Sequence, residues 1–276
     1  MEEQCVRAVA GPLRPEKKGT RSGPAVVLPE GRIVSSRLER MAADIEQFTP
    51  LSIQSAIFVR GLVFSDPLSM AQAIRRAAGG IFDGQPGVFP VPPNAPENVP
   101  RIILNDTLKR YQCKISAERL DLAFNGSRKK PSSIGILWDE YSGIIRQLAE
   151  YLKKKNPTRV WRLGLVVRLF KVLGGSANTY LREKYLRDDR FGNAYEFHLS
   201  VLDKESMGRF SINRWLRLRP MRKRDDPEDD RGLVVEIDIN TPAEKNNDFA
   251  EEEITHFFEE AYQHIVLQDM LLVDAE

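Results

Sequence analysis

The sequence contains few of the residues that usually mark covalent or metal chemistry. Its 276 residues include two cysteines, Cys5 and Cys113, and three histidines. Two cysteines form no disulfide framework, and a reducing compartment suits them. No Ser, Cys or Thr lies in a motif that marks a nucleophile, and no complete set of metal ligands is present. We therefore expect no metal and no organic cofactor, and we lean toward a protein without enzymatic activity.

Long apolar runs and an excess of one charge are also missing. No run reaches the roughly 18 apolar residues that suggest a membrane-spanning helix, and the start, MEEQCVRAVAG, lacks the pattern of a secretory signal. The 41 basic and 39 acidic residues leave a net charge of +2. The whole molecule therefore has no general attraction to polyanions, so affinity for nucleic acid requires a local basic patch. These absences predict a cytoplasmic protein without a membrane partner.

Glycine and proline are dense in two stretches. Residues 1–33 are rich in Gly, Pro, Lys and Arg without a sustained period, which predicts a flexible arm. Residues 79–100, GGIFDGQPGVFPVPPNAPENVP, are too rich in Gly and Pro for a helix or a central strand. We expect this segment to cover a sheet edge with Ile81, Phe82, Val88 and Phe89. A functional flap is the alternative.

Period-two alternation identifies the strand around which we organise the chain. In residues 159–173, RVWRLGLVVRLFKVL, one parity carries Trp161 with Leu163, and the other carries Arg162 with Arg168. The first half predicts a helix at 36–48, a strand at 52–64, a helix from Pro67, strands at 101–105, 110–116 and 119–125, and a helix at 137–155. The second half predicts strands at 159–173, 194–202, 209–219 and 232–240, and helices at 177–186 and 249–272.

Both halves therefore have the same order of elements. The fold class we expect is α+β, with two pseudo-repeated β-α-βββ-α units that form a largely antiparallel sheet covered by long helices on one side. The predicted domains are the flexible arm at 1–33, a first half at 34–156 and a second half at 157–276. The two halves pack intimately and are compatible with a single domain.

Four stretches resemble a sporadically distributed, uncharacterised bacterial protein family. They are TPLSIQSAIFVRG, a mid-chain helix that begins with WDEY, the strand RVWRLGLVVRL and the final helix FAEEEITHFFEEAYQHI. The resemblance covers residues 50–272. It implies a duplicated layout of strand, helix, sheet and helix, and it implies no activity.

The stretch FSINRWLRLRPMRKR, residues 210–224, is the main candidate for function. As a strand it directs Trp215, Arg217 and Arg219 to one side, and Arg162 and Arg168 extend this patch on another strand. Single-stranded nucleic acid is bound where bases stack on aromatic rings and arginines contact phosphates. The alternative is that Glu236 and Asp238, which project outward from the strand GLVVEIDIN, pair with these arginines.

Three weaker candidates complete the site prediction. Gly174, Gly175 and Ser176 form a strand-to-helix turn whose amides could approach an anion, although the pattern favours a plain turn. His198 is expected on the surface and is a weak candidate for a general base. Glu253 and His256 have a spacing found in metal sites, but no partner pair exists, so we expect them and His264 on a solvated helix face.

We therefore expect a non-catalytic binding or adaptor protein. Its open sheet face, centred on Trp215, Arg217 and Arg219, would hold a protein partner or a nucleic acid, and a homo-oligomer is allowed. The first alternative is a metal-independent ribonuclease or nucleotide-processing enzyme that uses His198. The second is a regulator that closes residues 79–100 over a small ligand.

Overall fold

The computed structural model describes residues 48–92, 94–126, 133–155, 158–186, 194, 196–222, 226, 229–244 and 247–266. The predicted arm at 1–33, all but the last residue of the predicted helix at 36–48, and residues 267–272 of the predicted final helix lie outside these ranges.

The described residues form nine strands and four α-helices. The strands are β1 Thr49–Arg60, β2 Gly87–Val88, β3 Ile102–Asn105, β4 Tyr111–Ile115, β5 Arg119–Asn125, β6 Arg159–Val172, β7 Leu199–Met207, β8 Phe210–Met221 and β9 Gly232–Asn240. The helices are α1 Pro67–Ala77, α2 Ile134–Glu150, α3 Ala177–Tyr185 and α4 Glu251–His264, and a π-helical turn, Tyr151–Lys155, extends α2. No helix within these ranges is both long enough and apolar enough to cross a membrane.

All nine strands belong to one antiparallel sheet. Their order is β2-β3-β4-β5-β1-β6-β9-β8-β7. β1 and β6 lie side by side near the middle and pair from Thr49 with Phe170 to Arg60 with Arg159. Because this pair joins the two halves of the chain in a continuous ladder, the predicted α+β class with an antiparallel sheet is confirmed.

The hydrophobic core lies against one face of the sheet. In β9 the side chains of Leu233, Val235, Ile237 and Ile239 are fully buried, as the alternation in the sequence predicted. In β6 the partners of the last three, Leu169, Val167 and Leu165, belong to the same cluster, which also includes buried side chains from all four helices. Cys113 is fully buried in this cluster, so it packs as a small apolar side chain.

The hydroxyl group of Tyr141, on α2, is inserted into the ladder between β1 and β5. It accepts a hydrogen bond from the backbone N–H of Ser55 at 2.7 Å and donates one to the carbonyl oxygen of Leu122 at 2.7 Å. Ser55 and Leu122 are partners in the register, so the hydroxyl bridges groups that face each other across the ladder. Burial raises the pKa of Tyr141, and the group therefore stays protonated.

Several boundaries differ from the predictions. β7 begins at Leu199 and ends at Met207, five residues later than predicted, and the turn at Gly208 connects it to β8. The helix α4 begins at Glu251, two residues after the predicted start, with Ala250 as its N-cap, and the Glu253 side chain accepts the Ala250 N–H at 2.6 Å. In the segment 79–100, Phe82 is fully buried, whereas Phe89 is 47% exposed and contributes little to covering the edge.

We predict that Tyr141→Phe lowers the free energy of unfolding by about 1–3 kcal/mol, since the variant leaves a buried N–H and a buried carbonyl without their partner. Urea unfolding followed by circular dichroism measures this change. Tyr151→Phe is the matched control because the Tyr151 hydroxyl makes no hydrogen bond within the part of the chain that the structure describes. Equal losses in both variants would contradict the proposed bridge.

Candidate functional site

The side of the sheet opposite the core is rich in polar side chains, and we call it the polar face. One row of register partners runs across it from β4 to β7: Lys114, Asp121, Ala56, Gly164, Asn240, Asn213 and Lys204. The small residues Ala56 and Gly164 lie in the middle of this row, so the strands at the centre carry little side-chain bulk.

Basic residues outnumber acidic residues on the polar face. The register assigns nine basic side chains to it: Arg60, Lys114, Arg119, Arg159, Arg162, Arg168, Lys204, Arg217 and Arg219. It assigns three acidic side chains: Asp121, Glu236 and Asp238. The chain as a whole has a net charge of only +2, so the basic charge is concentrated on this side of the sheet.

A β-bulge turns Trp161 onto the polar face. Phe58 pairs with Arg162 and Val59 pairs with Val160, so Trp161 is an extra residue in β6. The ring of Trp161 contacts Phe58 edge-on, with the ring centroids 5.6 Å apart. The alternation had predicted Trp161 on the same side as Leu163; this was wrong because an extra residue reverses the parity of the strand before it.

The bulge creates a cluster of aromatic rings and arginines, which we call the bulge cluster: Phe58, Arg60, Arg119, Trp161 and Arg162. The guanidinium groups of Arg162 and Arg119 lie 5.1 Å and 5.6 Å from the centroid of the Phe58 ring. The guanidinium group of Arg60 lies 5.2 Å from the Trp161 ring. These distances are typical of cation–π contacts.

Hydrogen bonds hold two arginines of the bulge cluster in position. Arg162 donates to the Asn240 side chain at 3.1 Å and to the Thr241 carbonyl oxygen at 3.2 Å. Arg119 donates to Asp121 at 2.8 Å. Burial raises the pKa of Asp121, and the nearby Arg119 opposes this shift. The two guanidinium groups are therefore fixed beside Phe58 before any ligand arrives.

The predicted patch on β8 forms a second cluster, the ladder cluster: Arg168, Trp215, Arg217, Glu236 and Asp238. Glu236 accepts a hydrogen bond from Arg217 at 2.6 Å and one from Arg168 at 2.5 Å. Asp238 lies 3.7 Å from Arg217, whose guanidinium group is 4.9 Å from the Trp215 ring. The predicted pairing of arginines with outward acids is confirmed, and two acids here balance two arginines.

The contacts with Arg168 and Arg217 favour the ionised form of Glu236. Burial raises its pKa, but the hydrogen bonds and charges of Arg168 and Arg217 outweigh burial and hold the pKa below its ordinary value. The carboxylate therefore fixes both guanidinium groups at neutral pH.

The two clusters divide the residues that the sequence predicted as one site. Arg162 belongs to the bulge cluster, whereas Arg168, six residues along β6, belongs to the ladder cluster about 20 Å away. Arg219 is exposed beyond the ladder cluster, opposite Val234. The sequence prediction did not include Phe58, Arg60 and Arg119 in the site. Two signals for them were present in the sequence: Phe58 and Arg60 alternate in β1, and the pattern RVWR begins β6.

The weaker candidates have partners within the chain. Ser176 caps α3 and donates to the Asp230 carboxylate at 2.8 Å, so an acidic side chain already lies at the turn formed by Gly174, Gly175 and Ser176. His198 is exposed and contacts Glu196 at 2.8 Å. These contacts give the anion site and the ribonuclease hypothesis no additional support.

One charged cluster on the core side of the sheet, at β7 and β8, was not predicted. His264 was expected on a solvated helix face; this was wrong, because it is buried and contacts Glu205 at 3.0 Å. Glu205 also pairs with Arg214 at 2.7 Å, which pairs with Asp203 at 3.3 Å. In the described ranges no three His, Cys, Asp or Glu side chains are arranged to hold a metal ion.

No protein-family model matches the chain, and no curated protein is significantly similar to it. The resemblance to the uncharacterised bacterial family therefore stays a prediction.

We predict that Glu236→Gln lowers the free energy of unfolding at pH 7 by on the order of 1–2 kcal/mol, since Arg168 and Arg217 lose a charged acceptor. Because the folded-state pKa is lowered, this stabilisation exists above the unfolded-state pKa and is lost as the pH falls through the folded-state value. Urea unfolding should therefore give a lower free energy of unfolding for the variant than for the parent at neutral pH. At acidic pH, below the folded-state pKa, the two values should be equal.

Glu259→Gln is the control for this experiment. Glu259 pairs with Arg146 at 3.4 Å, and both side chains are largely exposed. Exposed pairs contribute about 0–1 kcal/mol. A difference between parent and Glu236→Gln that persists at acidic pH would contradict the role of the Glu236 charge.

Proposed function

We propose that the protein is a non-catalytic binding protein whose polar face binds single-stranded nucleic acid. The observation that carries this proposal is the concentration of nine basic and three acidic side chains on one face of a nearly neutral chain. A polyanion binds such a face by contacts with its phosphates, whatever its sequence.

The aromatic side chains support a single strand over a duplex. Phe58, Trp161 and Trp215 lie half-buried among arginines on the same face. Unpaired bases stack on aromatic rings and on guanidinium planes, whereas the bases of a duplex already stack on one another. The fixed guanidinium groups of Arg119 and Arg162 reduce the entropy lost on binding.

The proposal depends on helices that cover only the opposite side of the sheet. In support of this, the core cluster combines inward side chains of the strands with side chains of all four helices. We further propose that the two halves are copies of one unit. Counted outward from the middle, β1, β5, β4, β3 in one half correspond to β6, β9, β8, β7 in the other.

A protein partner is the second candidate, and the ladder cluster favours it. There Glu236 and Asp238 balance Arg168 and Arg217 beside Trp215, so this part of the face has little net attraction for phosphates. A partner bound there would dissociate with little dependence on salt, because few counterions are released when it binds.

We predict that Trp161→Ala weakens binding of labelled oligothymidylate or oligouridylate by about 1–3 kcal/mol through lost stacking. Fluorescence anisotropy measures the dissociation constant. Arg60→Gln should reduce the dependence of log K on log salt by about 0.7, the value for one phosphate contact to a single strand. Both side chains project from the sheet, so circular dichroism should show a folded protein.

Arg146→Gln is the matched control because this arginine lies on α2 and is exposed. It should leave affinity and salt dependence unchanged. A parent protein that does not retain either oligonucleotide at low salt refutes the proposal, as does an equal loss of affinity in the control.

A further inference from the structure

β7 is a long, exposed edge of the sheet. It is the last strand in the order, and within the described residues it pairs with β8 alone. Residues 200–204 are all exposed, and Val201 and Leu202 are 45% and 42% exposed. Natural proteins protect such an edge with proline, short length, lysine side chains or inward charges. β7 has nine residues without proline; Lys204 is its one lysine, and its inward acids Asp203 and Glu205 are paired with Arg214.

The opposite edge of the sheet is protected by short length and by proline. β2 consists of only Gly87 and Val88, and prolines at positions 86, 90 and 92 surround it. Proline cannot donate a ladder hydrogen bond, and a two-residue strand offers few backbone groups, so both features disfavour a further strand on this side.

The hairpin geometry identifies which backbone groups of β7 face outward. Met207 and Phe210 close a two-residue turn in which Gly208 has a φ of 54°. The closing pair of such a hairpin is hydrogen-bonded, and the hydrogen-bonded pairs then alternate along the strands. The odd-numbered residues of β7 therefore bond to β8, and the N–H and C=O groups of Ser200, Leu202 and Lys204 point away from the sheet.

These groups fit a second copy of the same strand. Two identical strands that pair antiparallel are related by a two-fold axis perpendicular to the sheet. This axis is required because residues opposite each other in a ladder project from the same face of the sheet. A register centred on Asp203 or Lys204 places like charges opposite each other. A register centred on Leu202 places the two Leu202 residues opposite each other and pairs Ser200 with Lys204 of the second copy. In this register all three outward residues form backbone hydrogen bonds with the second copy.

We propose that β7 pairs with β7 of a second copy of this chain in the register centred on Leu202. The product is a continuous sheet of eighteen strands in a closed dimer. The perpendicular axis puts both polar faces on the same side. This inference goes beyond the proposed function and does not depend on it.

A cysteine at the axis tests the register directly. In a hydrogen-bonded antiparallel pair the Cα atoms are about 5.5 Å apart, within the range of about 4.4–6.8 Å that a disulfide spans. Leu202→Cys, in a Cys5→Ser background, should therefore form a covalent dimer under mild oxidation. Ser200→Cys is the matched control: its two copies would lie about 13 Å apart along the strands and should stay monomeric on a denaturing gel.

A charge at the axis tests the interface. Leu202→Lys should weaken self-association at least tenfold in sedimentation equilibrium, whereas Ile136→Lys, an equal change at an exposed position on α2, should leave it unchanged. A parent protein that is monomeric at all concentrations overturns the proposal. Equal cross-linking of Leu202→Cys and Ser200→Cys, or equal weakening by both lysine variants, also overturns it.

Discussion

The ladder between β1 and β6 joins two halves of the chain that are far apart in sequence. Each of these strands then pairs with the last strand of its own meander, β5 or β9. The hydroxyl of Tyr141 fixes the adjoining β1–β5 ladder to helix α2. The position of every side chain on the polar face depends on this central register, since a shift by one residue would exchange the polar face with the core.

The bulge and the ionised Glu236 organise the polar face in different ways. The bulge adds one residue to β6 and so brings Trp161 beside Phe58, where three arginines surround the rings. Glu236 instead binds two arginines and balances their charge. One face therefore has a basic region suited to phosphates and a balanced region that holds Trp215 in place.

Local alternation was sufficient to predict β9, its inward residues and the outward position of Glu236. It misplaced β7, because the apolar alternation before Leu199 resembles a strand and the polar run after Leu202 resembles a loop. The bounds of β7 are instead set by its pairing with β8. The bulge at Trp161 could not be predicted, since it is defined by the partner strand. Phe58 and Arg119 meet only through long-range pairing, so their cluster was also missed.

The late arrival of β6 has a consequence for synthesis on the ribosome. The ribosome synthesises β5, one partner of β1, before it synthesises β6. The other edge of β1 stays unpaired until residues 159–170, roughly a hundred residues downstream, have been made. During that interval the nascent chain presents a long, bare strand with several branched apolar side chains, and non-local pairing of this kind is slow. The same strand that later occupies the centre of the molecule is therefore exposed to wrong pairing while translation continues.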